Sequence, residues 1–589
     1  MSSGRFSALV MGMLAVTLAV FGVLIVQDFN RALEPELERR AGLIGTTVQD
    51  DVERALGLGI PLHALVGVED YVDTLIEDFP ELEYVVVRDR DGTALHTGGS
   101  TPDAVLDDRF WVPPTGSREV AGSIASRYAV VDADAKLGDL DVGIDDRFAR
   151  SRLEDLALDL VVIILVALVI GYEIALATSE RIGGRGRRLG AVADIRIVLF
   201  VFVVGEELSK SFLPQLTLAT TEPDALLEPA VAVSLPIAAY LLTLGLASPF
   251  AGRLATTLGE KQLLLAGFAI AAMSHLGMVF ADGVWQITLL RGLTGVGYAV
   301  ATVASLEYLI ERQPNADRLR AMTTFVLIVI GGTFAGTALG GILADRLGYR
   351  PVFTISVVLV VVAAVLAWRM LSGRHERSAI DGGAFAWRDV GAVLRQPKQM
   401  ALLTGVTVPM NVLLAAFLWY LVPLTLAAAG EGASAIGRTL MLYYLAVLVA
   451  GPVVARTGRT RVSVPMLVGL GALVSGLALL IPAAEISVLS VSVAVVIVGL
   501  GHAAIRGPQL SLAIELGEDM ADSSGRGATL AAMRMLERLG SLVGLLAAAL
   551  VAARADLATA MVALAIAASL AAVAYLGYAL RAARRTEHA

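Results

Sequence analysis

The sequence predicts an all-α polytopic membrane protein of fourteen spanning helices that carries one small α/β domain outside the bilayer. Three observations predict it. Of 589 residues, 56% are hydrophobic and 17% charged, and mean hydropathy is +0.72; a soluble chain of this size carries about a quarter charged residues. Apolar runs of about 18 residues or more recur along the chain, each long enough to cross a hydrocarbon core of about 30 Å as a helix. Charge is also placed unevenly: residues 28–155 hold 28 acidic and 13 basic side chains, whereas the whole chain is at −9, so an acidic, soluble-looking insert sits inside a mildly basic membrane protein.

The same composition excludes several classes. With no cysteine there are no disulfides, thiolate zinc sites or cysteine-ligated clusters. The six histidines (63, 96, 275, 375, 502, 588) are too far apart to give metal-ligand spacing. No catalytic motif is present, so neither an enzyme, a metal site nor a cofactor is expected. Neither part has the basic, aromatic-interleaved surface of a nucleic-acid binder.

The first apolar run, Phe6 to Val26, is long and lacks a small-residue cleavage site before the polar segment. It reads as an uncleaved anchor, residues 1–27. Residues 28–155 are enough for one small domain. In it we expect a helix over about 30–58 and a second near 68–78. Next comes a hairpin of Glu83–Arg88 and Thr93–Thr97 about the turn Asp89-Arg90-Asp91-Gly92, then strands at 118–132 and 136–145. A helix from Asp146 leads into the second span, 157–177, within a segment 156–178.

Twelve further spans are expected at about 195–218, 231–251, 262–281, 285–309, 321–343, 351–371, 400–424, 436–455, 462–482, 486–511, 527–552 and 556–580. The polar connection 372–399, with Gly382-Gly383, divides them into halves 190–371 and 400–580, six plus six. Lys and Arg set the orientation, because they remain cytoplasmic. With both termini inside, the outer loops after residue 178 hold only Arg346, Arg350, Arg438 and Arg554. The expected location is a bacterial cytoplasmic (inner) membrane, with 28–155 extracytoplasmic.

Internal similarity relates the halves, as in many transporters. Gly252-Arg-Leu-Ala-Thr-Thr-Leu-Gly259 follows the second helix of one half, and Gly451-Pro-Val-Val-Ala-Arg-Thr-Gly458 follows the second helix of the other. These turns resemble the G-x-x-x-D-R-x-G-R-[RK] motif of the major facilitator superfamily. Thr256 and Thr257 replace its Asp-Arg pair, Glu260 replaces the next Arg, and Ala455 replaces the second Asp. Arg291-Gly-Leu-Thr-Gly295-Val-Gly297 matches the family's R-x-x-x-G-x-G. Gly332-Thr-Phe-Ala-Gly336-Thr-Ala-Leu-Gly340-Gly341 resembles the G-x-x-x-G-P-x-x-G-G signature of its proton-coupled exporters, with Thr337 in the proline place. The resemblance covers about 190–580 and implies a 6+6 major facilitator fold. For 28–155, the layout of long helix, antiparallel sheet and exit into a membrane helix, together with the strand–DRDG–strand segment, resembles the Cache family of bacterial extracytoplasmic sensors.

A charge at the centre of a spanning helix costs about 2.5–3.5 kcal/mol, so such residues must pair or face water. Glu206, Glu207, Lys210, Arg291, Arg506, Arg534, Glu537 and Arg538 all stand at that depth. Glu206 and Lys210 are spaced i, i+4, the favourable order for a helical pair, and Pro214 one turn on frees backbone groups and can kink the helix. In the family resembled, helices 1, 4, 7 and 10 line the cavity. That makes Glu206, Glu207, Lys210, Arg291, Asn411, Trp419, Tyr420, His502, Arg506 and Gln509 cavity or proton-coupling candidates. Glu206 and Glu207 lead, since two carboxylates near one lysine can hold a proton. The helix 11 cluster Arg534, Glu537, Arg538 reads rather as a helix fastener. The excess of cations would suit an anionic or zwitterionic substrate. In the extracytoplasmic domain, Tyr84, Arg88, His96, Trp111, Arg127 and Tyr128 are sensor-ligand candidates.

The expected function is a secondary active transporter, proton-coupled and exporting a small organic or amphiphilic solute, with a small extracytoplasmic ligand as regulator. The alternative is a receptor with a degenerate transporter body that signals through a separate partner.

Overall fold

The computed structural model describes residues 42–79, 81–107, 117–120, 123–132, 135–183, 187–221, 227–312, 318–373, 395–457, 463–518 and 525–587, with six isolated positions before 42. The anchor 1–27, Trp111 and Gly382-Gly383 therefore fall almost wholly or wholly outside the described residues. Two compact units are present, Ala15–Ile164 and Leu165–Ala589 together with Met1–Leu14.

In the smaller unit, helix α1 (residues 42–57) and α2 (Val68–Asp78) precede the hairpin β1 (Leu82–Asp89) and β2 (Ala94–Gly99). The short α3 (Asp103–Leu106) follows, then β3 (Ser117–Val120), β4 (Ser123–Asp132) and β5 (Ala135–Asp145). The expected strand 118–132 is thus two strands. All pairings are antiparallel, in the order β2-β1-β5-β4-β3. Because strand side chains alternate between faces, Val85, Val87, Leu140 and Val142 pack on Ile44, Val48, Val52 and Leu56 of α1. Tyr84 and Val86 point to the other face, against Val105 and Ala125.

From β5 the chain enters α4 (Asp146–Gly183), which divides between the two units. The larger unit continues with α5 (Arg187–Glu207), α6 (Leu213–Ala219), α7 (Pro229–Leu258), α8 (Glu260–Val279), α9 (Val284–Glu311), α10 (Arg318–Leu347) and α11 (Tyr349–Met370). The second half holds α12 (Pro397–Ala428), α13 (Ala433–Thr457), α14 (Val464–Ala478, extended by Leu480–Ala484), α15 (Val488–Glu518), α16 (Gly525–Arg554) and α17 (Leu557–Glu587). Among the described residues, twelve helices are long and apolar enough to span a membrane.

Two of the fourteen expected spans are not among these twelve. The run 6–26 is outside the described residues. The run 195–218 is not one helix: α5 ends at Glu207, Leu208–Lys210 form a 3₁₀ turn, and α6 restarts with Pro214 in its first turn. Proline has no N–H to continue the ladder, so the break sits where it is tolerated. α12 is also irregular, with π-helical turns at Leu403–Thr407 and Leu413–Leu421.

Glycines set how close these helices come. On α10, a Cβ on Gly336 would lie 2.6 Å from the Val204 carbonyl oxygen, and one on Gly340 would overlap that of Leu208. The neighbouring Gly341 abuts the Ala433 carbonyl of α13. The glycine signature thus binds α10 to the broken α5 on one side and to the other half of the molecule on the other. On α9, Gly295 approaches the Tyr240 carbonyl of α7.

Candidate functional site

The break in α5 decides the pairing of its charges. A 3₁₀ turn has three residues per turn, so i and i+3 eclipse. Lys210 accordingly pairs with Glu207, not with Glu206 as an unbroken α-helix would have it. Glu206 turns instead to α8, where its Oε2 lies 2.9 Å from His275 Nε2. Both residues are buried, His275 fully, and among the described residues Glu206 Oε1 and His275 Nδ1 have no hydrogen-bond partner. The carboxylate and imidazole can hold one proton between them.

Next to this pair, Arg291 of α9 donates to Ser209 Oγ at 3.4 Å, and its guanidinium lies 4.9 Å from the Tyr240 ring centroid. The Lys210 ammonium leaves its own half: it lies 4.3 Å from the centroid of Trp419 on α12 and 6.0 Å from that of Tyr444 on α13. Trp419 Nε1 donates to Tyr444 Oη at 3.3 Å. An ammonium over aromatic faces away from water gains about 2 kcal/mol, so Lys210 couples the halves through Glu207 and Trp419.

The second half carries its own polar chain. Tyr443 is hydrogen-bonded to His502 Nδ1 at 2.8 Å and lies 3.5 Å from an Arg506 nitrogen. Arginine only donates, so the Tyr443 oxygen accepts from Arg506. Gln509 donates to Thr407 Oγ1 at 2.7 Å, joining α15 to α12, whereas Asn411 donates to the Thr407 carbonyl within α12. Arg506 itself is exposed. Tyr420 donates to the Ala230 carbonyl of α7 at 2.7 Å, a bond between halves.

Of the predicted cavity residues, Glu206, Glu207, Lys210, Arg291, Trp419 and Tyr420 are thus tied into contacts of the first half or across the seam; His502, Arg506, Gln509 and Asn411 form a second group. Of the helix 11 residues, Arg534 is exposed, and among the described residues Glu537 makes no ion pair. The Arg538 stem instead packs 3.0 Å from where a Cβ of Gly245 would stand, joining α16 to α7. Sequence reasoning missed His275, Ser209, Tyr240, Tyr443 and Tyr444. The available signal for His275 was a lone imidazole within an otherwise apolar span.

At one end of the bundle hydrogen bonds join the two halves. The Asp345 carboxylate at the end of α10 accepts from the Ala433 and Ser434 N–H groups at 2.8 and 2.7 Å, capping α13 of the other half. At the same end, Gln215 Nε2 donates to the Glu431 carbonyl at 3.2 Å. At the opposite end the eroded turn after α7 has other charge partners. Lys261 donates to the Trp368 and Leu371 carbonyls at the end of α11, at 2.7 and 2.8 Å, and Glu260 lies 3.7 Å from Arg312.

In the smaller unit, Arg88 and Arg127 converge on one buried carboxylate. Arg88 Nε donates to Asp141 Oδ2 at 2.7 Å, and Arg127 donates to both Asp141 oxygens, at 2.5 and 2.8 Å. Hydrogen bonding to Asp141 raises the Arg127 pKa above its ordinary value. Arg88 also donates to the Gly92 and Val105 carbonyls. Tyr84 shares this face, and burial pushes its phenol well up; among the described residues its hydroxyl and that of Ser123 are buried without partners. His96 Nε2 is bonded to the Leu62 carbonyl at 2.9 Å, and Tyr128 lies over Gly45 of α1, so both serve packing between elements. Tyr84, Arg88 and Arg127 are therefore brought together, whereas His96 and Tyr128 are not.

Comparison with known proteins matches residues 196–525 to the family model described as Major Facilitator Superfamily, more than half of the chain. The chain is 34% identical over 157 residues to the multidrug resistance protein MdtG of Dickeya zeae (strain Ech586), covering 26% of this chain and 37% of that protein. It is 32% identical over 138 residues to the multi-drug resistance efflux pump PmrA homolog of Lactococcus lactis subsp. lactis (strain IL1403), covering 23% and 32%. The matches thus span only about a third of the length of these curated relatives. Among solved structures, an auto-inhibited POT family peptide transporter aligns with TM-score 0.53 at 15% identity, over 66% of this chain and 97% of that one. The human organic anion transporter MFSD10 (TETRAN) aligns with TM-score 0.50 at 16% identity, over 66% and 100%. At these identities the two structures establish the fold.

Proposed function

Because the chain belongs to the Major Facilitator Superfamily, we propose that it is a secondary active transporter of the bacterial inner membrane, proton-coupled and exporting a small organic or amphiphilic solute. The observation that carries the reading is the pair of buried carboxylates on the broken α5. Glu206 shares a proton site with His275, and Glu207 holds Lys210 against Trp419 of the other half. Protonating Glu207 would release the ammonium from its partner and loosen the seam, which links proton occupancy to the facing of the transporter. Export is supported by the multidrug relatives and by the glycine signature of α10. Orientation follows from the distribution of Lys and Arg, with both termini cytoplasmic; the end joined by Asp345 is then extracytoplasmic.

The β-sheet unit is the candidate regulator. Its Cache-like layout and the Arg88–Asp141–Arg127 face beside Tyr84 support a small extracytoplasmic ligand. Purified protein in proteoliposomes under an imposed pH gradient, with amphiphiles and small anions as probes, tests the transporter reading. Gradient-driven flux is expected, reduced at least tenfold by Glu206→Gln or Glu207→Gln. No flux at any gradient, with ligand still binding the extracytoplasmic unit, would instead favour a receptor acting through a separate partner.

A further inference from the structure

Helix α4 is unbroken from Asp146 to Gly183, so it carries the chain from the β-sheet unit into the transporter unit. Its faces differ. Val162, Val166, Glu173 and Ala177 are buried, on one stripe at helical spacing, whereas Val161, Tyr172 and Ile174 are about half exposed. A carboxylate near the end of an apolar helix is costly in a bilayer unless it is paired. Glu173 is paired: Arg196 of α5 donates to its Oε2 at 2.7 Å, and their side chains are only 8% and 5% exposed. One turn earlier, Val169 Cγ1 lies 3.6 Å from where a Cβ of Gly331 on α10 would stand. α4 therefore rests on α5 and α10, the two helices whose close approach at Gly336 frames Glu207.

An ion pair of this kind fixes both rotation and height. If α4 turns or slides, Glu173 either carries Arg196 with it or gives up its buried partner in an apolar medium. Arg196 stands ten residues before Glu206 on the same helix, about 15 Å along its axis. We infer that the Glu173–Arg196 pair is the joint through which the helix leaving the extracytoplasmic unit sets the position of α5, and with it the two carboxylates at the break. The inference rests on the reading that this unit regulates transport, and names the contact that would do so.

The chain contains no cysteine, so a designed pair reports the joint without background. Full-length protein carrying Val169→Cys and Gly331→Cys should form an intramolecular disulfide on oxidation in membranes. Adding Glu173→Gln or Arg196→Gln should cut the yield at least fivefold, and the exchange Glu173→Arg with Arg196→Glu should restore it to within twofold. In a cysteine-free background the single variants should also change gradient-driven flux at least threefold, with recovery in the exchanged chain. Unchanged disulfide yield in both single variants overturns the joint. A lower yield with unaltered flux overturns its regulatory role. If the unsubstituted protein shows no flux, the transporter reading fails, and the disulfide yields still decide the joint. Should a single variant fail to fold, the exchanged chain decides: no disulfide there overturns the proposal.

Discussion

At the scale of residues, the molecule resolves its buried charges by partnering each with an atom that elementary helix geometry does not always choose. The Arg88–Asp141–Arg127 group is the clearest case outside the membrane. One carboxylate pairs with two guanidinium groups, and the backbone carbonyls of Gly92 and Val105 accept from Arg88 Nη1 and Nη2. Removing one partner from a buried ionic network leaves uncompensated charge, at a cost of about 3–5 kcal/mol. Asp141→Ala should therefore lower the protection of β1 and β5 amides in hydrogen exchange by about a hundredfold or more, while leaving the exchange of α14 and α17 unaltered. Equal protection in the variant would mean that the arginines find other acceptors.

At the scale of elements, length and hydropathy alone place most of the spanning helices, because each must cover the same hydrocarbon thickness. The hairpin is legible from strand-like runs on either side of a turn sequence. What was not legible is what happens inside an element. Glu206 and Lys210 read as a pair only if α5 continues, and the 3₁₀ turn removes that register and hands Lys210 to Glu207. His275 and Tyr443 become functional candidates only when helices far apart in sequence are packed together, which no local spacing encodes. The glycines of α10, by contrast, were read from the sequence as a signature, and the structure supplies their reason. A Cβ on Gly340 overlaps the Leu208 carbonyl oxygen, which cannot rotate away, so Gly340→Ala must push α5 and α10 apart. Overpacking of this kind costs about 1–3 kcal/mol. A melting temperature lowered by several degrees in detergent is expected for Gly340→Ala, and none for Gly252→Ala, whose added Cβ meets nothing within 4 Å. Equal melting temperatures would show that α5 can give way.

At the scale of the whole molecule, the two halves of the larger unit are joined by hydrogen bonds gathered at one end. Asp345 is the strongest of them. Its two oxygens satisfy the first free N–H groups of α13, and a negative charge there is further favoured by the positive end of the helix dipole. The other contacts are weaker: a single Gln215 amide on the Glu431 carbonyl, the Tyr420 bond to Ala230, and the Lys210 ammonium over Trp419. Hydrogen bonds to a charged group contribute about 1.5–3 kcal/mol each, and about 1.4 kcal/mol is a tenfold change in a two-state population. Loss of Asp345 alone should therefore move the molecule measurably toward the state open at this end. With Gln215→Cys and Glu431→Cys introduced into this cysteine-free chain, Asp345→Ala should reduce disulfide formation between them at least tenfold. On the orientation proposed above, it should also raise labelling of Lys210→Cys by a membrane-impermeant maleimide applied from outside. If cross-linking and labelling both stay at the level of the unsubstituted aspartate, closure is carried by the glycine-lined contact of Gly341 with Ala433, and the cap contributes only to the local order of α13.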